Sequence, residues 1–202
     1  QLVGHLDGAR GPGIVFAHSR RTDQRSWRAF ADETAAAGFR TLTFDFRGYG
    51  ESGGEQDVGT VDRDLEGAYR YLVGRKIRPI FLVGASMGGT AVLLVGARVP
   101  VAGIATLSAP LTLGDLDATP VLPSLQGAKL FVAAEGDPGA AAALKLVSER
   151  APGPKIMRVL PGNAHGMDLM GAEPTRAAVA SALRDLFSSG APHPLGTTEV
   201  ER

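Results

Sequence analysis

The segment Gly84-Ala85-Ser86-Met87-Gly88-Gly89 holds a serine with glycine two positions to either side, where the apolar run Phe81-Leu82-Val83 ends and a helical pattern begins. It reads as strand, sharp turn and helix. Such a turn strains the serine backbone and leaves no room for side chains two residues away, which Gly84 and Gly88 satisfy. The hydroxyl then stands above the sheet, and the first N–H groups of the helix face any negative charge that develops beside it. That environment suits attack on an acyl carbon. A plainer reading competes, because Gly-x-Ser-x-Gly also arises by chance in a chain with 27 glycines, so the motif needs partners elsewhere.

A serine hydroxyl is a poor nucleophile at neutral pH and needs an imidazole to take its proton and return it to the leaving group. His165, in Pro161-Gly162-Asn163-Ala164-His165-Gly166, is the candidate base. A carboxylate must hold the imidazole tautomer and stabilise the imidazolium, and Asp137, in Glu135-Gly136-Asp137, is the candidate acid. Two backbone N–H groups must meet the oxyanion. Met87 N–H, directly after the serine, is the first. The second is expected from the loop after the Ile14-Val15-Phe16-Ala17 run, at Arg20 N–H in His18-Ser19-Arg20.

Strands and helices must bring these residues together. Leu2 to Leu6 predicts a short first strand and Ile14 to Ala17 a buried parallel one, followed by a helix from Trp27 to Ala37 that Gly38 closes. Thr41 to Phe44 is the next strand. A glycine-rich connection over Asp45 to Gly59 leads to a helix capped by Thr60 and running to Val73. Strands over Ile80–Val83, Gly103–Leu107, Lys129–Ala134 and Lys155–Leu160 alternate with helices over Met87–Arg98, Gly139–Glu149 and Pro174–Phe187. Alternation of this kind predicts a mainly parallel sheet with helices on both faces, and such sheets bind ligands beyond the carboxyl ends of their strands. His18, Ser86, Asp137 and His165 all follow predicted strands, in the chain order Ser, Asp, His of acyl-transfer triads on open parallel sheets.

Other residues compete for these roles. Asp115 and Asp117 stand as an alternative acid. Asp45 also follows a strand, but its setting in Phe44-Asp45-Phe46-Arg47-Gly48 predicts a loop-ordering role involving Arg47. Asp168, three residues after His165, reads as shaping its loop. His18 reads as structural, on the oxyanion side, and His5 and His193 lie in terminal segments without a partner pattern. No two histidines stand at a metal-ligand spacing, so no metal and no cofactor is expected.

Composition narrows the classes. The chain has 202 residues, 44% hydrophobic and 21% charged, which suits one soluble domain and argues against disorder or a membrane span. Lysine plus arginine number 21 and so do aspartate plus glutamate, so no electrostatic footprint points to nucleic acid or an anionic membrane. With no cysteine, disulfides, thiolate metal sites and a cysteine nucleophile are excluded. The opening Gln1-Leu2-Val3-Gly4-His5 shows no targeting segment, an expectation of a cytoplasmic protein or one exported after processing. A single domain over 1–190 is expected, with 191–202 a poorly ordered tail. Monomer and dimer are both left open.

The Ser86 turn, Asp45-Phe46-Arg47-Gly48-Tyr49-Gly50-Glu51-Ser52, Glu135-Gly136-Asp137 and Gly162-Asn163-Ala164-His165-Gly166 together resemble the α/β-hydrolase superfamily, over about Gly13 to Phe187. The likeness is nearest to small bacterial hydrolases of the dienelactone-hydrolase-like and esterase type. It implies an α/β-hydrolase fold, a mostly parallel central sheet flanked by helices on both faces, with Ser86 as nucleophile, His165 as base and Asp137 as acid. Two departures stand out. The N-terminal strands are expected to be reduced, and Leu107 to Lys129 is too short for a cap domain. Where related enzymes carry a His-Gly pair this chain has His18-Ser19. An open site is expected, with His18, Ser19, Tyr49, Trp27, Met87 and Leu111 as substrate-binding or lining residues and a small-molecule ester as substrate. The activity implied is that of a serine esterase. A peptidase, thioesterase or polyester hydrolase with the same triad, and a non-catalytic binding protein on the same fold, are the alternatives.

Overall fold

The computed structural model describes residues 1–190; the predicted tail over 191–202 and His193 lie outside them. Fully buried apolar runs form the central strands. β2 (Gly13–Ala17), β4 (Ile80–Ala85) and β5 (Gly103–Leu107) are buried at every position, as strands covered on both faces must be. They join β1 (Gly4–Asp7), β3 (Arg40–Phe44), β8 (Ala128–Ala134) and β9 (Ile156–Leu160) in a seven-stranded sheet of order β1-β3-β2-β4-β5-β8-β9. Only β1 runs antiparallel, pairing Gly4 with Phe44 and Asp7 with Thr41. The expected reduction of the N-terminal strands thus takes the form of one four-residue antiparallel edge strand.

Alternation along each strand sends side chains to two separate cores. Val15, Ala17 and Leu82 face α2 (Val61–Gly74), α3 (Met87–Gly96) and α4 (Pro138–Arg150). Ile14, Phe16, Phe81, Val83 and Ala85 face α1 (Arg28–Ala36) and α5 (Thr175–Gly190). The predicted helix from Trp27 starts one turn earlier as a 3-10 turn over Gln24–Trp27, capped by the Asp23 carboxylate on Arg25 N–H. Thr60 occupies the cap position of α2 without capping it, its hydroxyl donating to Asp57 instead.

The connection between Leu107 and Ala128 contains no cap domain. It holds the small antiparallel pair β6 (Thr112–Leu113) and β7 (Leu116–Asp117) and a 3-10 segment over Thr119–Ser124. No helix among the described residues is long and apolar enough to cross a membrane.

The strand order decides where a site can form. From β2 the chain passes through α1, on one face, to β3; from β4 it passes through α3, on the other face, to β5. The connections therefore diverge between the neighbouring strands β2 and β4, which opens a crevice at their carboxyl ends.

Candidate active site

Ser86 ends β4 at φ 48 and ψ −115, a left-handed backbone held by its surroundings. Its N–H donates to Leu107 O at 2.8 Å, and α3 begins at the next residue. The flanking glycines are required by contact: a Cβ on Gly84 would lie 2.3 Å from Gly88 O, and one on Gly88 would lie 2.4 Å from Ala17 O. The first turn of α3 is thereby pressed against the end of β2. Met87 N–H, at the first position of α3, has no helical acceptor of its own.

His165 and Asp137 arrive from the ends of β9 and β8. The His165 Nε2 lies 2.8 Å from Ser86 Oγ, and its Nδ1 lies 2.6 Å from Asp137 Oδ2. Asp137 is also the N-cap of α4, where its Oδ1 accepts from Ala140 N–H at 3.2 Å. One carboxylate oxygen thus anchors the helix while the other holds the imidazole. The His165 side chain is 48% exposed and that of Asp137 only 11%, so the carboxylate is sheltered and the ring reaches the surface. Since Asp137 accepts from Nδ1–H, neutral His165 presents an unprotonated Nε2 to the Ser86 hydroxyl. Asp115 and Asp117 take no part in this chain of bonds; Asp117 caps its own turn on Thr119 N–H. Asp168 is held in the 3-10 turn after His165.

The loop after β2 carries the other expected donor. Arg20 and Arg21 form a turn closed by Thr22 N–H to Ser19 O at 3.1 Å, and Arg20 N–H has no hydrogen-bond partner among the described residues. His18 lies beneath, fully buried. Its Nδ1–H donates to Ser19 O at 2.8 Å and its Nε2 accepts from Phe46 N–H at 3.1 Å, which assigns the neutral ring. Burial lowers the His18 pKa, opposed by the Ser19 carbonyl and by Asp45 and Asp23. Ser19 is buried beside Gly166, and its hydroxyl has no partner among the described residues.

Several expected lining residues sit deeper than the sequence suggests. Trp27 is fully buried: its ring packs on Phe16, and its Nε1–H donates to Ala17 O at 3.1 Å, so it props the end of β2 and lines no open surface. His18 likewise offers nothing to a ligand. Met87, Tyr49 and Leu111 are also buried in the core, the Tyr49 hydroxyl lying 3.7 Å from Met87 Sδ. A 520 Å³ groove lined by Leu2, Leu6, Leu42, Phe44 and Tyr71 is a separate feature, with neither Ser86 nor His165 in its lining.

Asp45 orders its loop, but not through Arg47. Its carboxylate accepts from Gln24 N–H, Gln24 Nε2 and Glu51 N–H at 2.8 to 2.9 Å. Arg47 turns away to Asp64, which it meets at 2.6 Å. A residue that strand-end reasoning passed over is Ser108, the first after β5. It is buried, has φ 51, and follows the carbonyl that receives Ser86 N–H. Its position just past a strand was the available signal. Among the described residues no cluster of three or more histidine, aspartate and glutamate side chains could hold a metal ion.

Residues 14–200 match the model of the alpha/beta hydrolase family, and the chain belongs to that family. Solved structures agree on the fold. A dienelactone hydrolase from Anabaena variabilis superposes with a TM-score of 0.79 at 22% identity, over 95% of this chain and 93% of that one. An enol-lactonase from Burkholderia xenovorans gives 0.76 at 18% identity, over 93% and 96% of the two chains. An esterase from Exiguobacterium antarcticum gives 0.76 at 14% identity, over 93% and 95%.

Proposed function

We propose that the protein is a serine hydrolase of carboxylic esters that works through an acyl-enzyme. The observation that carries this reading is the hydrogen-bonded series Ser86 Oγ, His165 Nε2, His165 Nδ1 and Asp137 Oδ2, at 2.8 and 2.6 Å. The Ser86 hydroxyl attacks the ester carbonyl as His165 Nε2 takes its proton. Asp137 stabilises the imidazolium through Nδ1–H. Met87 N–H and Arg20 N–H receive the oxyanion. Collapse of the tetrahedral intermediate expels the alcohol, which takes the proton from His165. Water, activated by the same nitrogen, then releases the acid and restores Ser86. Every group these steps need is a side chain or backbone amide of this chain, so no cofactor is invoked.

The short connection after β5, which holds only a two-stranded pair and a 3-10 segment, favours exposed or extended esters. Similar structures named as a dienelactone hydrolase and an enol-lactonase make lactones, which are cyclic esters opened by the same attack, part of the substrate panel. Peptides, thioesters and polyesters use the same chemistry and belong in it too.

The test is turnover of p-nitrophenyl acetate and butyrate by the native chain and by Ser86→Ala, with a fluorophosphonate probe on both. Ser86→Ala should fold normally, lose the label and lose about a thousandfold or more in kcat. Undiminished turnover in that variant sinks the assignment of Ser86. A native chain that neither labels nor turns over would instead mark a binding protein on this fold.

A further inference from the structure

Thr22 bonds to the peptide that carries Arg20 N–H, the candidate second oxyanion donor. The Ser19 carbonyl receives His18 Nδ1–H at 2.8 Å, Thr22 N–H at 3.1 Å and the Thr22 hydroxyl at 3.1 Å. Two of these three bonds come from one residue. Ser26 Oγ, in the same turn, gives its proton to Asp23 O at 2.7 Å, which leaves the Thr22 hydroxyl proton to Ser19 O.

Ser19 C=O and Arg20 N–H belong to one planar trans peptide and point in opposite directions. Whatever fixes the carbonyl therefore aims the N–H. With the carbonyl drawn toward His18 and Thr22, Arg20 N–H is turned away from them and has no acceptor among the described residues. The same loop lies against the helix that starts with Met87 N–H, since a Cβ on Gly88 would be 2.4 Å from Ala17 O and 2.8 Å from His18 O. Resting on the reading of Ser86 as nucleophile, we infer that Thr22 is a positioning residue, whose paired bonds to Ser19 O aim Arg20 N–H at the oxyanion. It touches no substrate. The tip of the turn, Arg20-Arg21, is exposed, so the bonds on Ser19 O are what tie this peptide to the loop.

Thr22→Val keeps the shape and the backbone N–H but removes the hydroxyl bond; Thr22→Ser keeps the hydroxyl. The measurements are kcat and KM for p-nitrophenyl butyrate and the affinity of phenylboronic acid, which adds to a nucleophilic serine as a tetrahedral anion without turnover. Melting curves, with the fluorophosphonate-reactive fraction as the concentration of folded sites, correct for any loss of fold. Loss of one hydrogen bond predicts about a fivefold fall in kcat and an equal fall in boronic acid affinity for Thr22→Val, with KM within about twofold. Thr22→Ser should match the native chain. Unchanged kcat and boronate affinity in Thr22→Val, or a loss confined to KM, overturns the inference. Ester turnover by the native chain tests the hydrolase reading separately, since the boronate comparison needs no turnover. A native chain that binds the boronic acid no better than Ser86→Ala overturns both.

Discussion

His18 is fully buried, and both ring nitrogens have duties that only the neutral ring can perform: Nδ1–H donates to Ser19 O and Nε2 accepts from Phe46 N–H. Protonation would turn Nε2 into a donor facing a donor, in a place where burial already disfavours charge. The unfolded chain protonates first, near the ordinary value of 6.5, because the folded pKa is lower. Folding stability from this residue is therefore complete above about pH 6.5 and is lost as pH falls through the folded pKa. Denaturant titrations between about pH 7.5 and 5.5 should show native stability declining over that window, with a shallower decline in His18→Asn. Parallel curves for the two proteins would count against the assignment. Asp45 is a complementary case. Its carboxylate collects donors from Gln24 and Glu51 and so orders the loop that follows β3.

The first turn of α3 meets the end of β2 with no space between them, and this contact sets how the helix N-terminus faces the loop from His18 to Thr22. Gly88→Ala places a Cβ 2.4 Å from Ala17 O and 2.8 Å from His18 O, backbone atoms that cannot rotate away. The helix has to shift. A displacement near 1 Å predicts a fall in kcat of about a hundredfold, with a stability loss of about 2 kcal/mol. Gly74→Ala is the contrast, since a Cβ there meets nothing within 4 Å at the end of α2. It should leave kcat unchanged and alter stability by less than about 1 kcal/mol. Steady-state kinetics and urea titrations of the two variants separate a glycine required by contact from one that merely ends a helix.

Two apolar layers share one sheet, and alternate residues of the same strands feed each layer, so neither layer can melt while the other keeps its strands. Trp27, the single tryptophan, reports on the layer formed by α1 and α5, where it packs on Phe16 and Phe30. Far-UV circular dichroism reports on the helices of both layers. The shared sheet predicts that Trp27 fluorescence and circular dichroism lose their native signals at the same urea concentration, in one cooperative step. Separate midpoints would show that the layers unfold independently. Replacing Trp27 by Ala removes the prop under the end of β2.

Much of this architecture is legible in the chain because it depends on near neighbours. Continuous apolar runs mark the buried strands, helical spacing marks α1 to α5, and the glycines around Ser86 mark a turn that side chains would block. The rule that functional groups follow parallel strands pointed to His18, Ser86, Asp137 and His165; the fold joins the last three in a series of hydrogen bonds and buries His18 against backbone partners. Partner choice was not legible. Arg47 pairs with Asp64 across seventeen positions, Gln24 donates to Asp45 across twenty-one, and Trp27, expected to line the site, is buried beneath β2. The sequence by itself determined the strands, the strained serine and the chain order Ser86, Asp137, His165, since strands and turn follow from local periodicity and backbone sterics. Tertiary structure alone decided which donors converge on Asp45 and Ser19 O, because atoms far apart in the chain are brought within about 3 Å only when the layers close around the sheet.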